Sequence, residues 1–218
     1  MSEYNLLKTH PKIIRNIKAR KDSKTEEIIR ISRQYGKEYY DGDRAYGYGG
    51  YKYDGRWKVV AEAIVERYGL KKGDKVLDIG CAKGFLVKDL LSIGIDAYGI
   101  DVSEYALENC EPETKGRLQI ASADSIPFAD KSFAFTISTN TLHNLERDRC
   151  IVALKEMERL APSGKGFVQV DSYKTPHDKE LFLNWVLTAK THYYPEGWIE
   201  LFKEANYTGD YYWTIFSN

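Results

Sequence analysis

The chain has 218 residues, which fits one domain, or one domain with an appendage, and leaves room for a sizeable core. Hydrophobic residues make up 43% and charged residues 29%, close to soluble globular averages, so disordered, collagen-like and membrane classes are excluded for the chain as a whole. Lys plus Arg balance Asp plus Glu at 32 each, which argues against non-specific attraction to nucleic acid or to an anionic membrane.

The first residues lack the apolar stretch of a signal peptide, and no apolar run approaches the ~20 residues of a spanning helix, so a cytoplasmic protein is expected. Two short basic helices follow. Ile13, Ile14 and Ile17 mark one apolar stripe, and Ile28 and Ile31 mark another, with Ser23 and Glu26 in a capping-box pattern and Gly36 as a stop. Residues 1–33 carry nine Lys/Arg against four Asp/Glu. Then comes GKEYYDGDRAYGYGGYKYDGRW, with neither helical nor strand periodicity, which reads as a long ordered loop. Seven of the 17 tyrosines fall between Tyr35 and Tyr53. Residues 1–53 are therefore taken as helices plus a Tyr/Gly-rich lid, and 54–218 as the core domain.

From Asp54 the pattern alternates strand and helix. Trp57, Val60, Ala61, Ile64, Val65 and Tyr68 line one helix face that stops at Gly69. Strands are expected at Lys75–Ile79, Ala97–Asp101, Arg117–Ala121, Phe133–Thr139 and Gly166–Val170, with helices at Gly84–Ile93, after Ser103, and at Arg147–Leu160. Leu181–His192 reads as a fraying helix or a strand, Glu196–Ala205 as an amphipathic helix and Asp210–Phe216 as a last strand. This is an α/β chain with a doubly wound, mostly parallel, Rossmann-like sheet covered on both faces. Cys81, Cys110 and Cys150 have no CxxC or Cys/His spacing, which excludes a zinc knuckle.

In such a sheet ligands bind beyond the carboxyl ends of the strands. The loop after the first strand reads DIGCAKG: Gly80 permits an immediate turn and Gly84 lets the helix start close to the sheet. A dinucleotide fingerprint would need glycine where Ala82 and Phe85 stand, which weakens a nicotinamide-dependent reading. DIGCAKG instead resembles the first motif of class I S-adenosylmethionine-dependent methyltransferases, a family that usually has a further glycine at the place of Ala82. Asp101 closes the second strand 21 residues after Gly80, the distance at which an acid meets ribose hydroxyls. ADSIPFADKSF, from Ala123 to Phe133, is also similar to the family.

The resemblance covers Asp54 to Val170 and implies S-adenosylmethionine as methyl donor, S-adenosylhomocysteine as product and seven strands in the order 3-2-1-4-5-7-6. It implies donor contacts from Asp78, Gly80, Cys81, Gly84, Asp101, Val102, Ser125 and Asn140, with Asp124 facing the adenine amine. Only one clear strand follows the helix at 196–205, so the usual final hairpin is shortened or Leu181–His192 supplies a strand by another route.

The fourth strand lacks the Asn/Asp-Pro-Pro-aromatic tetrad of methyltransferases acting on DNA bases or glutamine amides, and the paired-glutamate hairpin of arginine methyltransferases is missing. Those substrate classes lose weight, which leaves a small-molecule acceptor; the stretch YYDGDRAYGYGGYKYDGRW resembles the segment before the core in small bacterial methyltransferases, some linked to surface-sugar metabolism, and that resemblance implies a sugar or sugar nucleotide. His143 is placed to take a proton from the acceptor. Tyr40, Arg44, Tyr51, Asp171 and Tyr173 are expected to line the acceptor pocket, and Arg44, Lys52 and Arg56 are candidates to meet either the donor's carboxylate or an acidic acceptor. No clustered His and acids call for a metal, and neither nucleic acid nor membrane is an expected partner. Two alternatives stay open: a non-catalytic donor-binding partner protein, and a nucleic-acid methyltransferase using the basic N-terminal arm. The oligomeric state, monomer or homodimer, is not readable.

Overall fold

The computed structural model describes residues 1–11 and 15–216, so Ile13 and Ile14 of the expected first stripe lie outside the described residues. Three short helices come first, α1 (Ile17–Ser23), α2 (Glu26–Ser32) and α3 (Lys37–Asp41). The cap of α2 is Thr25, whose hydroxyl accepts from the Ile28 N–H at 3.2 Å. Ser23 ends α1 instead and donates its hydroxyl to the Arg20 carbonyl. Gly36 is the N-cap of α3 rather than a stop for α2, so the Tyr/Gly segment opens with a helical turn.

The core alternates as its periodicity predicts: α4 (Lys58–Tyr68), β1 (Lys75–Ile79), α5 (Phe85–Ser92), β2 (Asp96–Asp101), α6 (Glu104–Glu108), β3 (Leu118–Ile120), β4 (Phe135–Thr139), α7 (Arg147–Leu160) and β5 (Gly166–Ser172). Then follow α8 (Pro176–Trp185), α9 (Pro195–Glu204) and β6 (Asp210–Ile215). The sheet has six strands in the order β3-β2-β1-β4-β5-β6, and every neighbouring pair is parallel.

Among the described residues the expected seventh strand is absent. Residues 181–185 end α8, and the irregular stretch after it leads to Tyr193, which meets β5 in the isolated bridge Ser172–Tyr193. β6 pairs β5 directly over six positions, where the 5-7-6 order would interpose a strand. The outer edge of β6 is instead met by the start of the chain: Tyr4 N–H donates to the Tyr211 carbonyl at 2.9 Å, and Tyr211 N–H to the Ser2 carbonyl at 3.0 Å. An edge already hydrogen-bonded offers a returning hairpin no ladder.

Alternation along the strands divides the core into two layers. Val76, Ala97, Phe135 and Phe167 face α4 and α5, against Val60, Ile64, Leu86 and Leu90. Leu77, Ile79, Ile100, Val168 and Val170 face α7 and α9, against Leu154, Met157, Trp198 and Phe202. Phe133, expected in β4, precedes the strand and packs edge-on against Phe128. Both layers leave the carboxyl ends of the strands open, and there the N-terminal residues pack: Leu6 into the α4/α5 layer, Ile17 beside Phe182 and Phe216, and Tyr40 beside Ala82 and Ala106.

Phe135 is fully buried, its ring 4.1 Å from that of Tyr68. Phe135→Ala should lower unfolding stability by about 3–5 kcal/mol, read as a lower urea midpoint at unchanged m-value.

Candidate active site

The turn after β1 is built for close approach. Gly80 has φ +83°, and a Cβ there would stand 2.0 Å from Thr141 Oγ1, so only glycine passes under the loop that follows β4. The N–H groups of Gly80 and Cys81 both donate to the Ile100 carbonyl, which ties the turn to β2. Ala82 adopts φ +50°, the left-handed region that costs a non-glycine residue about 1–2 kcal/mol, and this explains why glycine is usual at that place. Gly84 stands behind the turn, where a Cβ would meet Leu118 and Thr114, and it starts α5 close to the sheet.

At the end of β2, Asp101 is buried and accepts from Ala82 N–H at 2.8 Å and Ser103 N–H at 2.9 Å. Burial raises its pKa, and the N–H groups oppose that rise. Burial, followed by the field of Asp101, pushes the Asp78 carboxyl up to about 7. Two buried carboxylates side by side suit a cationic ligand bearing vicinal hydroxyls, since a carboxylate retains acceptor sites after taking two N–H bonds. The residues present therefore fit a bound S-adenosylmethionine.

Opposite stands a wall of tyrosines. Tyr51 stacks on Phe85 at 4.6 Å and contacts Tyr48 at 4.4 Å, while Tyr40 packs between Tyr39, Tyr48 and Tyr105. Asp41 anchors this wall to the glycine turn. It accepts from Lys83 Nζ at 2.6 Å, from the Tyr105 hydroxyl at 2.7 Å and from Tyr51 N–H at 2.9 Å. Burial pushes the Asp41 carboxyl up, but the Lys83 and Tyr105 hydrogen bonds outweigh it and hold the pKa below its ordinary value.

At the far end the turn after β4 carries His143, buried, whose Nδ1 accepts from the Asp171 N–H at 3.0 Å. That bond assigns the neutral ring's proton to Nε2, which lies 3.5 Å from Asp171 Oδ2. Burial lowers the His143 pKa and raises that of Asp171. With one nitrogen committed and the other protonated, His143 in this arrangement has no free lone pair, and Asp171 is the group able to accept a proton.

These features line one cavity of about 940 Å³, near the upper end of the ~300–1,000 Å³ usual for small-molecule sites. Asp78, Gly80, Cys81, Asp101, Val102, Asn140, His143, Asp171, Tyr40, Arg44 and Tyr51 all line it. Gly84, Asp124, Ser125 and Tyr173 do not. Asp124 is held by Arg149 of α7 in a two-pronged pair and by the Ser122 hydroxyl, and both of these partners line the cavity. Ser125 is exposed, and Tyr173 packs against Phe182 and Tyr194 outside the cavity. The lining also includes Arg15, Arg20, Trp185 and Gln169, which sequence reasoning missed. Among the described residues, no group of three or more His, Cys, Asp or Glu side chains comes together to hold a metal, and no helix is long and apolar enough to cross a membrane.

Residues 77–168, from β1 into β5, match the family described as a methyltransferase domain. An uncharacterised protein of Methanocaldococcus jannaschii is 33% identical over 125 residues, 57% of this chain and 46% of that protein. A demethylmenaquinone methyltransferase of Staphylococcus aureus is 34% identical over 115 residues, 49% of this chain and 46% of that enzyme. The chain thus spans about half the length of these relatives. In fold, the chain resembles the YcgJ protein of Bacillus subtilis, with a TM-score of 0.56 and 18% identity over 66% of each chain.

Asp41→Ala would strip the nearly buried Lys83 ammonium of its partner and release Tyr51 and Tyr105. It should cost about 1–3 kcal/mol and make residues 42–57 the first site of limited proteolysis, a cut the unaltered protein resists.

Proposed function

We propose that this chain transfers the methyl group of S-adenosylmethionine to an oxygen or nitrogen of a small polar molecule, in the class of sugars and sugar nucleotides. The observation that carries this reading is the convergence of the Gly80 turn, Asp78 and Asp101 on one cavity whose other end holds the Asp171 and His143 pair. The bound donor supplies an electrophilic methyl on a sulfonium centre. Asp101 would hold the ribose hydroxyls, and the Gly80 turn gives backbone room beside them. The tyrosine wall excludes water and presents aromatic faces to a cation.

At the acceptor end, Asp171 would take the proton as the new bond to carbon forms. His143 would orient it through Nε2–H, and the protein otherwise contributes alignment. The Staphylococcus relatives are named for a quinone substrate, but here Arg15, Arg44 and Asp171 line the cavity, which favours a polar acceptor over a long apolar one. Arg15 and Arg20 of the basic arm turn into the cavity, which weakens the case for a nucleic-acid groove.

Calorimetry with S-adenosylhomocysteine tests the donor assignment. Binding should be measurable in the unaltered protein and about tenfold or more weaker in Asp101→Ala, as expected for lost charged hydrogen bonds; no heat with the unaltered protein would sink the reading. The pH profile tests the acceptor end. The base is the ionised form of Asp171, so turnover falls as pH drops through its pKa, which burial places above the ~3.9 of a free aspartate. Asp171→Asn should lower kcat about 100-fold or more and erase that acid limb. A limb that survives Asp171→Asn but vanishes in His143→Gln would move the proton to His143.

A further inference from the structure

The lid side of the cavity holds charges that methyl transfer does not use. Arg15, Arg20 and Arg44 converge on Trp185, their guanidinium carbons 5.8, 4.8 and 5.1 Å from its ring centroid. Arg15 also lies 4.8 Å from the Phe216 centroid. The three come from different places, just before α1, within α1 and from the Tyr/Gly segment, and all line the cavity.

Among the described residues none of the three forms an ion pair with a carboxylate. Arg20 spends two N–H groups on the carbonyls of Ala45 and Gly47, at 2.8 and 3.0 Å, and Arg44 spends one on Gly47. Each guanidinium has five N–H groups, so donors remain for the cavity. Burial and then the charge of Arg44 bring Arg20 down to about 10, with Tyr39 and Asp43 opposing the fall.

The methyl donor as a whole does not balance these charges. It brings one carboxylate together with a sulfonium and an ammonium, so loading it adds net positive charge to the cavity. Of the nearby acids, Asp171 feels the field of Arg15 but faces His143, and Asp43, whose field reaches Arg20, accepts from the Ala45 N–H. Three convergent forks beside an aromatic ring suit an oxyanion, for which guanidinium is the preferred partner.

We infer that Arg15, Arg20 and Arg44 dock an oxyanion group of the methyl acceptor, a phosphate ester or a carboxylate, so that the substrate is an anionic small molecule whose hydroxyl or amine reaches Asp171. The word acceptor rests on the methyl-transfer reading; the anion site does not.

The test titrates inorganic pyrophosphate, inorganic phosphate and succinate into the full chain, with and without saturating S-adenosylhomocysteine, by calorimetry and tryptophan fluorescence. Saturable binding is expected, about tenfold weaker in Arg15→Gln and in Arg44→Gln and restored by Arg44→Lys, with S-adenosylhomocysteine affinity and thermal midpoint held. Response to the phosphates alone assigns a phosphate ester, and response to succinate alone a carboxylate. Failure of all three anions to bind the unaltered protein overturns the inference. So does loss of S-adenosylhomocysteine affinity in the two Gln variants, since the cluster would then hold the donor's carboxylate. If S-adenosylhomocysteine does not bind the unaltered protein, the methyl-transfer reading falls, while the anion titrations still read the cluster.

Discussion

The whole cavity hangs on the contact between Gly80 and Thr141. The chain leaves β1 in a left-handed turn and passes so close beneath the loop after β4 that the space a side chain would need is filled by the Thr141 hydroxyl and methyl. Because the Gly80 and Cys81 amides are bonded to Ile100 at the same point, three neighbouring strands are fixed relative to each other at their carboxyl ends. Thr141 also opens the short turn that carries His143. One steric contact thereby sets the distance between the end of the cavity that holds Asp78 and Asp101 and the end that holds Asp171.

From the strand ends to the lid side of the cavity the charge changes sign. Buried carboxylates mark one end and desolvated guanidinium groups the lid side, with tyrosine rings between. Removing charges from water is expensive, so the arrangement persists because backbone amides satisfy Asp101, main-chain carbonyls satisfy Arg20, and ligand chemistry of opposite sign is expected at each place. Asp41 and Lys83 connect the two halves, since the carboxylate belongs to the tyrosine wall and the ammonium to the glycine turn.

Much of this was legible from period and spacing. The helix at Arg147–Leu160 and the strand at Lys75–Ile79 fall where their apolar patterns place them. Asp101 could be found because it closes a strand, and a strand end fixes where its side chain emerges. The partner of Asp124 could not be read, because Arg149 reaches it from the first turn of a helix 25 residues away. Tyr173 was misplaced because β5 runs two residues past its apolar stretch, to Ser172. Arg15 and Arg20 were read as part of a basic face on a short amphipathic piece, the ordinary meaning of such a pattern. Only the docking of α1 against α8 turns them inward, and a contact between segments so far apart leaves no local trace.

The pairing of Ser2–Tyr4 with Tyr211 closes the sheet with residues from opposite ends of the chain, and the Ser2 hydroxyl adds a bond to Asp210 across 208 positions. Such a closure carries a large loop entropy and forms only after the rest of the sheet is assembled. During synthesis Ser2–Tyr4 emerge long before Tyr211 and must wait for it, and until they meet, the flank of β6 is a bare strand open to intermolecular pairing.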